Sequence, residues 1–210
     1  MRFAYAPGAP IVWIDMPWDQ DTIGRSGSEQ RPGPFNRGEV YAALRVVRAL
    51  EPAHEGGNPP KLALLSPYRA QVRELKAALR RDGPLRQHLA KFGRVGAEYV
   101  HTVDSFQGQE AEVIIVSLVR NNARQSLRGA LGFLADRRRM NVLFSRAQWR
   151  LIVVGCRTFL ENVAARRFAT PEEEREAEFL RLLLQALAYA EQNGACVTLR
   201  RSDFANGRKG

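Results

Sequence analysis

Four consecutive β-branched residues, Val113-Ile-Ile-Val116, constrain this chain more than any other feature. An unbroken apolar run of this kind is the pattern of a strand covered on both faces, as in a parallel sheet with helices on either side. The residues before it are of the opposite character. Between His101 and Glu110, six polar side chains (Thr102, Asp104, Ser105, Gln107, Gln109 and Glu110) surround one glycine, Gly108, and one aromatic, Phe106. The segment is expected to be a loop crossing one edge of the sheet, anchored by Phe106 and hinged at Gly108. Loops at such edges are where open α/β folds place ligands. A solvated connector is the plain alternative, although the polar density exceeds what a turn needs.

A second segment favours a site. From Asp136 to Gln148 the chain contains neither Gly nor Pro, and Met140, Leu143, Phe144 and Ala147 form an apolar stripe at helical spacing. Asp136 is the predicted N-cap. Arg139 and Arg146 then project from one side of the helix, about 10 Å apart along its axis. No acidic residue follows these arginines at i+4 to neutralise them. An uncompensated row of guanidiniums beside a sheet-edge loop suits phosphate, because arginine presents a rigid fork of donors and keeps its charge.

The remaining pattern alternates strand and helix. Ile11–Ile14, Leu62–Leu65, Glu98–Val100, Val113–Val119 and Leu151–Val154 are the expected core strands, with Trp13 in the core and Cys196–Leu199 as an edge strand. Asn36 with Glu39 forms a capping box for a helix to Leu50, and Thr170 with Glu173 another for a helix to Gln192. Ser66-Pro67 is expected to open a helix as N-cap and N1, a terminus whose free amides suit phosphate. Pro17–Pro34, rich in Gly, Pro and Ser, is expected to be a mobile excursion, and 201–210 a disordered tail. The fold class implied is α/β with a mainly parallel sheet.

Length agrees, since 210 residues suit one domain and not a two-lobed protein. The formal net charge is +10, and Arg120–Arg150 carries eight arginines against Asp136 alone, which favours a polyanionic partner. Cys156 and Cys196 lack metal spacing and suit reduced core thiols. His54, His88 and His101 lie too far apart for a metal motif, so no protein-bound metal is expected. No signal peptide and no apolar run of about 18 residues occurs, which indicates neither secretion nor membrane. An intracellular place is expected, cytoplasmic or, in a eukaryote, nuclear.

Three segments together resemble a known family: Thr102-Val-Asp-Ser-Phe-Gln-Gly-Gln-Glu110, Leu131-Gly-Phe-Leu-Ala-Asp-Arg-Arg-Arg-Met-Asn-Val-Leu-Phe-Ser-Arg-Ala147 and Leu65-Ser-Pro-Tyr-Arg-Ala-Gln-Val72. They are similar to the second RecA-like domain of superfamily 1B helicases, the group of the nonsense-mediated-decay, senataxin and immunoglobulin-mu-binding types. The resemblance runs from about Pro10 to about Leu160, and Asn36-Arg-Gly-Glu39 resembles a further signature of that group. It implies a three-layer RecA-like sandwich spanning residues 1–200. It also implies an arginine finger at Arg146 reaching the γ-phosphate of ATP, with Arg138 and Arg139 as the paired arginines of the same helix. Glu110 is placed to meet the ribose, Gln107 and Gly108 form the coupling loop, and Ser66, Tyr68, Arg69, Thr102 and Ser105 face single-stranded DNA or RNA. The chain departs from the family at Arg137, usually Pro, and at Leu143-Phe144, usually smaller residues.

Other motifs of that group are absent. The sequence contains no G-x-x-x-x-G-K-[ST] phosphate loop, no adjacent Asp-Glu pair for Mg²⁺ and no Tyr-Arg-Met-His-Pro segment. ATP and Mg²⁺ are therefore expected to be held mainly by a first RecA-like domain outside this sequence, in cis, or by a separate ATPase subunit completed in trans. A non-catalytic single-strand-binding module is the alternative. By itself the chain is expected to be inactive.

Overall fold

The computed structural model describes residues 2–18, 33–52, 57–200 and 202–203. Its strands are β1 (Arg2–Phe3), β2 (Ile11–Asp15), β3 (Leu50–Glu51), β4 (Leu62–Ser66), β5 (Val100–Thr102), β6 (Ala111–Ser117), β7 (Ala147–Gly155) and β8 (Cys196–Arg200). The helices are α1 (Arg37–Ala49), α2 (Arg69–Arg81), α3 (Gly83–Leu89), α4 (Leu127–Leu131), α5 (Arg137–Ser145), α6 (Arg157–Ala164) and α7 (Pro171–Gln192). Six strands form one sheet in the order β5-β4-β6-β7-β2-β8, and every neighbouring pair is parallel. β1 and β3 make a separate antiparallel pair. The α/β class with a parallel, helix-flanked sheet is as expected.

The central strands are the apolar runs. Val113–Val116 and Leu62–Leu65 are at most 1 % exposed, and each such side chain contributes about 1.5–3 kcal/mol relative to an exposed one. Trp13 lies wholly in the core, its indole N–H donating to the Gly155 carbonyl at 3.0 Å. α1 packs on α2 and α3, and α7 on α4 and α6, as the general rule of right-handed crossovers requires for this strand order, with α1–α3 on one face and α4–α7 on the other. The chain turns one way after β4 and the other way after β6, so the crevice between the C-terminal ends of these neighbouring strands is the switch point of the sheet.

The caps at Asn36, Asp136 and Thr170 each accept the expected backbone N–H, and α7 ends at Asn193. β8 pairs with β2 at the edge. Three expectations shift. β5 is Val100–Thr102, so Thr102 is a strand residue. Ser66 ends β4 and does not cap a helix: it pairs with Thr102, its carbonyl accepts the Val103 N–H at 3.3 Å, and α2 starts at Arg69 with Tyr68 as N-cap. Finally, α5 stops at Ser145, because the Arg146 carbonyl is taken by the Ala111 N–H at 3.3 Å and Ala147 joins the sheet beside Ala111. Most of the Pro17–Pro34 excursion and of the 201–210 tail lies outside the described residues.

Candidate functional site at both ends of the sheet

The loop from Val103 to Glu110 does not simply cross one edge. It leaves the C-terminal end of β5, passes over β4 and enters β6 at its N-terminal end, on the face that carries α5. Loop and helix thus run side by side in the same direction. Phe106 is fully buried, as expected of the anchor. Thr102 and Ser105 tie the start of the loop: the Ser105 Oγ accepts the Thr102 N–H at 3.0 Å, and the Thr102 Oγ1 accepts the Ser105 N–H at 3.2 Å. Gln107 and Gly108 are exposed, and Gly108 turns at φ +78° with open space around it, a conformation glycine adopts without strain.

At the start of α5, Asp136 accepts the N–H groups of Arg138 and Arg139. Arg139 lies 4.5 Å over the Phe133 ring, with Asp104 at 3.8 Å and Asp136 at 3.7 Å from its Nε. Arg139 is therefore not uncompensated. Its counterions come from the cap and from the neighbouring loop, and not from i+4 on its own helix. A cleft of about 280 Å³ lies between the two segments, lined by Asp104, Gln107, Asp136, Arg138, Arg139 and Val142 among others. It brings together three residues singled out from sequence: Gln107, Arg138 and Arg139.

The far ends of the same two segments meet at the N-terminal edge of the sheet. Arg146 is the C-cap of α5, at φ −95° and ψ −8°, one position beyond the last helical residue. Its Nε is buried and has no hydrogen-bond partner among the described residues. Leaving such a donor unpaired costs about 1–3 kcal/mol, a cost that a ligand oxygen would offset. Glu110, next to it, is exposed and accepts from the Gln148 side chain at 3.0 Å. Trp149 follows on β7 with 58 % exposure.

Residues expected at nucleic acid lie at the opposite edge. Ser66 is fully buried, which removes it from any direct backbone contact; Tyr68 and Thr102, partly, and Arg69 and Ser105, openly, reach the surface there. The Tyr68 hydroxyl accepts from Arg120 Nε at 2.8 Å and from the Phe133 N–H at 3.2 Å, and donates to the Leu131 carbonyl at 3.2 Å. The Arg120 guanidinium stacks 5.2 Å above the Tyr68 ring. Its place requires Gly132, at φ +55°, where a Cβ would collide with it.

Beneath the switch point lies a buried polar network. Gln71 Nε2 donates to Ser117 Oγ at 2.8 Å, and Gln71 Oε1 accepts the Asn36 N–H at 2.8 Å. Glu39 Oε2 accepts from Ser117 Oγ at 2.6 Å and from the Val119 N–H at 2.8 Å. Burial pushes the Glu39 carboxyl up to about 8, against the hydrogen bonds, which pull it down. Val119 stands at φ +71°, a conformation that costs a β-branched residue about 1–3 kcal/mol. The capping-box reading thus holds for Asn36 but misses the Glu39 side chain. The signal was present: Glu39, Ala43, Val46, Val47 and Leu50 share one helical face, and the other four are apolar.

The basic segment does not form one continuous face. Arg120 covers Tyr68, Arg128 pairs with Glu172 at 2.8 Å, and Arg150 is buried against the Pro7 carbonyl. Burial pushes the Cys156 thiol up to about 12 and that of Cys196 up to about 11, in keeping with inert core thiols.

A parallel sheet of this order, with an arginine helix beside a polar crossover, defines a RecA-like α/β domain. The chain belongs to the AAA_12 family of AAA domains, which it matches over residues 2–158, and to the superfamily 1 helicases of the nonsense-mediated-decay and senataxin type. It is similar to a regulator of nonsense transcripts 1 homolog of Arabidopsis thaliana, 33 % identical over 155 residues, covering 68 % of this chain and 11 % of that protein. It is also similar to the DNA polymerase alpha-associated DNA helicase A of Saccharomyces cerevisiae, 31 % identical over 146 residues, covering 70 % and 19 %. With the probable helicase senataxin of Homo sapiens it shares 29 % over 153 residues, covering 71 % and 5 %. The chain thus spans a small part of the length of these relatives.

Proposed function

We propose that residues 1–200 are the second RecA-like domain of an ATP-dependent helicase or translocase that moves on single-stranded DNA or RNA. The observation that carries this reading is the buried Nε of Arg146, without a hydrogen-bond partner among the described residues, beside Glu110 at one end of the sheet. A guanidinium with a free donor suits the charge that develops on a transferring phosphoryl group. Glu110 would meet the ribose, while Gln107, Arg138 and Arg139 line the cleft through which the nucleotide end and the nucleic-acid end communicate. Arg69, the Tyr68 ring and the Thr102–Ser105 turn would grip the strand backbone. When bound, ATP supplies the phosphoryl group and Mg²⁺ neutralises its charge. The donors in this chain fit the phosphate, and no Asp-Glu pair fits the metal, so the metal belongs to a facing first domain in cis or an ATPase partner in trans.

The test is hydrolysis of ATP by the protein as it exists, with this chain joined to whatever supplies the phosphate loop. Turnover stimulated by a single-stranded oligonucleotide is expected, with affinity for the strand falling as salt rises. A protein that binds the strand but hydrolyses nothing under any nucleotide condition would favour the simple binding module.

A further inference from the structure

The switch-point crevice between β4 and β6, where open α/β sheets present ligands, is closed by the chain's own Arg120 stacked on Tyr68. Arg120 reaches that place because the backbone leaves β6 through a left-handed residue that is not glycine, Val119 at φ +71°. Such a bend persists only where its surroundings over-determine it. Two contacts hold this one: the Arg120 N–H donates to the Leu118 carbonyl at 2.9 Å across the bend, and the Val119 N–H donates to Glu39 Oε2 on α1, eighty positions away in the chain. Further links run from Arg120 Nε to the Tyr68 hydroxyl, from the hydroxyl to the Leu131 carbonyl, and from the Phe133 N–H back to the hydroxyl. Phe133 then carries Arg139 on its ring face, at the first turn of α5.

We propose that Glu39 is a positioning residue: by accepting the Val119 N–H it holds the bend that turns Arg120 onto Tyr68, and so sets both the nucleic-acid edge and the turn that launches the arginine helix. The functional half rests on the reading of that edge given above. Ser117 and Gln71 tie Glu39 to α2, whereas the Glu39–Val119 contact is the side-chain bond made to the bend itself. Loss of Ser117 and loss of Glu39 therefore have different consequences.

The experiment follows the Arg120 Nε–H resonance by NMR and, in parallel, the affinity for a single-stranded oligothymidylate. Glu39→Leu, which keeps volume and removes the acceptor, is expected to lose the protected Arg120 signal and to weaken binding about tenfold. Glu39→Gln, which keeps an acceptor oxygen, and Ser117→Ala, which keeps the Val119 contact, are expected to retain both within about twofold. A retained Arg120 signal in a folded Glu39→Leu protein overturns the positioning role, and a lost signal with unchanged affinity overturns its functional consequence. Should Glu39→Leu fail to fold, the unaltered protein decides: the Val119 N–H and the Arg120 Nε–H are expected to be protected and to exchange through one shared opening, and independent or rapid exchange overturns the proposal. If the unaltered protein does not bind oligothymidylate, the nucleic-acid reading fails by itself, and the Arg120 resonance still decides the positioning.

Discussion

The Val119 backbone N–H donates to the Glu39 carboxylate at 2.8 Å, and this contact joins the first long helix to the exit of the central strand. It places an ionisable group at full burial under the surface expected to meet nucleic acid. The energetic consequence is a pH dependence with a definite sign.

The Glu39 carboxyl is raised from an ordinary 4.5 to about 8, so the folded state holds its proton more tightly than the unfolded chain. The associated stability is complete below pH 4.5 and is lost as pH rises through about 8. Urea denaturation across that window is expected to show falling stability in the unaltered protein and a flatter profile in Glu39→Gln. Equal slopes in the two proteins would contradict the assignment.

Asp136 accepts two backbone N–H groups at the start of α5. Asp136→Ala is expected to cost about 1 kcal/mol and to lower Tm by about 2–4 °C. It also removes one of the two acidic neighbours of Arg139. Thermal unfolding followed by circular dichroism measures the effect.

Two glycines in the left-handed region separate backbone strain from collision. Gly108 has open space around it, so Gly108→Ala is expected to cost only the conformational strain, about 1 kcal/mol. Gly132→Ala adds a clash with the Arg120 guanidinium, and its urea midpoint is expected to fall further. Equal losses would show that Arg120 is not held where it stacks on Tyr68.

Exposed and paired arginines are expected to differ in salt response. Arg69 is exposed at the edge proposed to bind the strand, and Arg69→Ala is expected to reduce the salt-dependence slope of single-strand binding by about 0.7. Arg128 is engaged by Glu172 and Glu176, and Arg128→Ala is expected to leave the slope unchanged. Binding isotherms over a range of salt concentrations distinguish the two.

Much of this architecture was legible in the chain. Val113–Val116 announced a doubly covered strand, and the caps at Asn36, Asp136 and Thr170 marked helix starts through local hydrogen bonds. What escaped depends on partners distant in sequence. The end of α5 is set by the Ala111 N–H, the strand character of Ser66 by Thr102, and the burial of Glu39 by β6. For the same reason, the counterions of Arg139 and the division of the site between two sheet edges could not be read from helical spacing.

Arg146 is partly buried, its Nε has no hydrogen-bond partner among the described residues, and it is proposed to meet a phosphoryl group. The most direct measurement is kcat for single-strand-stimulated ATP hydrolysis by the protein containing this chain, unaltered and as Arg146→Ala, alongside the stability of each. Stability is expected to fall by no more than about 1 kcal/mol, since the lost donor has no partner among the described residues and its burial is itself unfavourable, while kcat falls by about 10³–10⁵. A kcat that stays within a few-fold of the unaltered value would contradict the account.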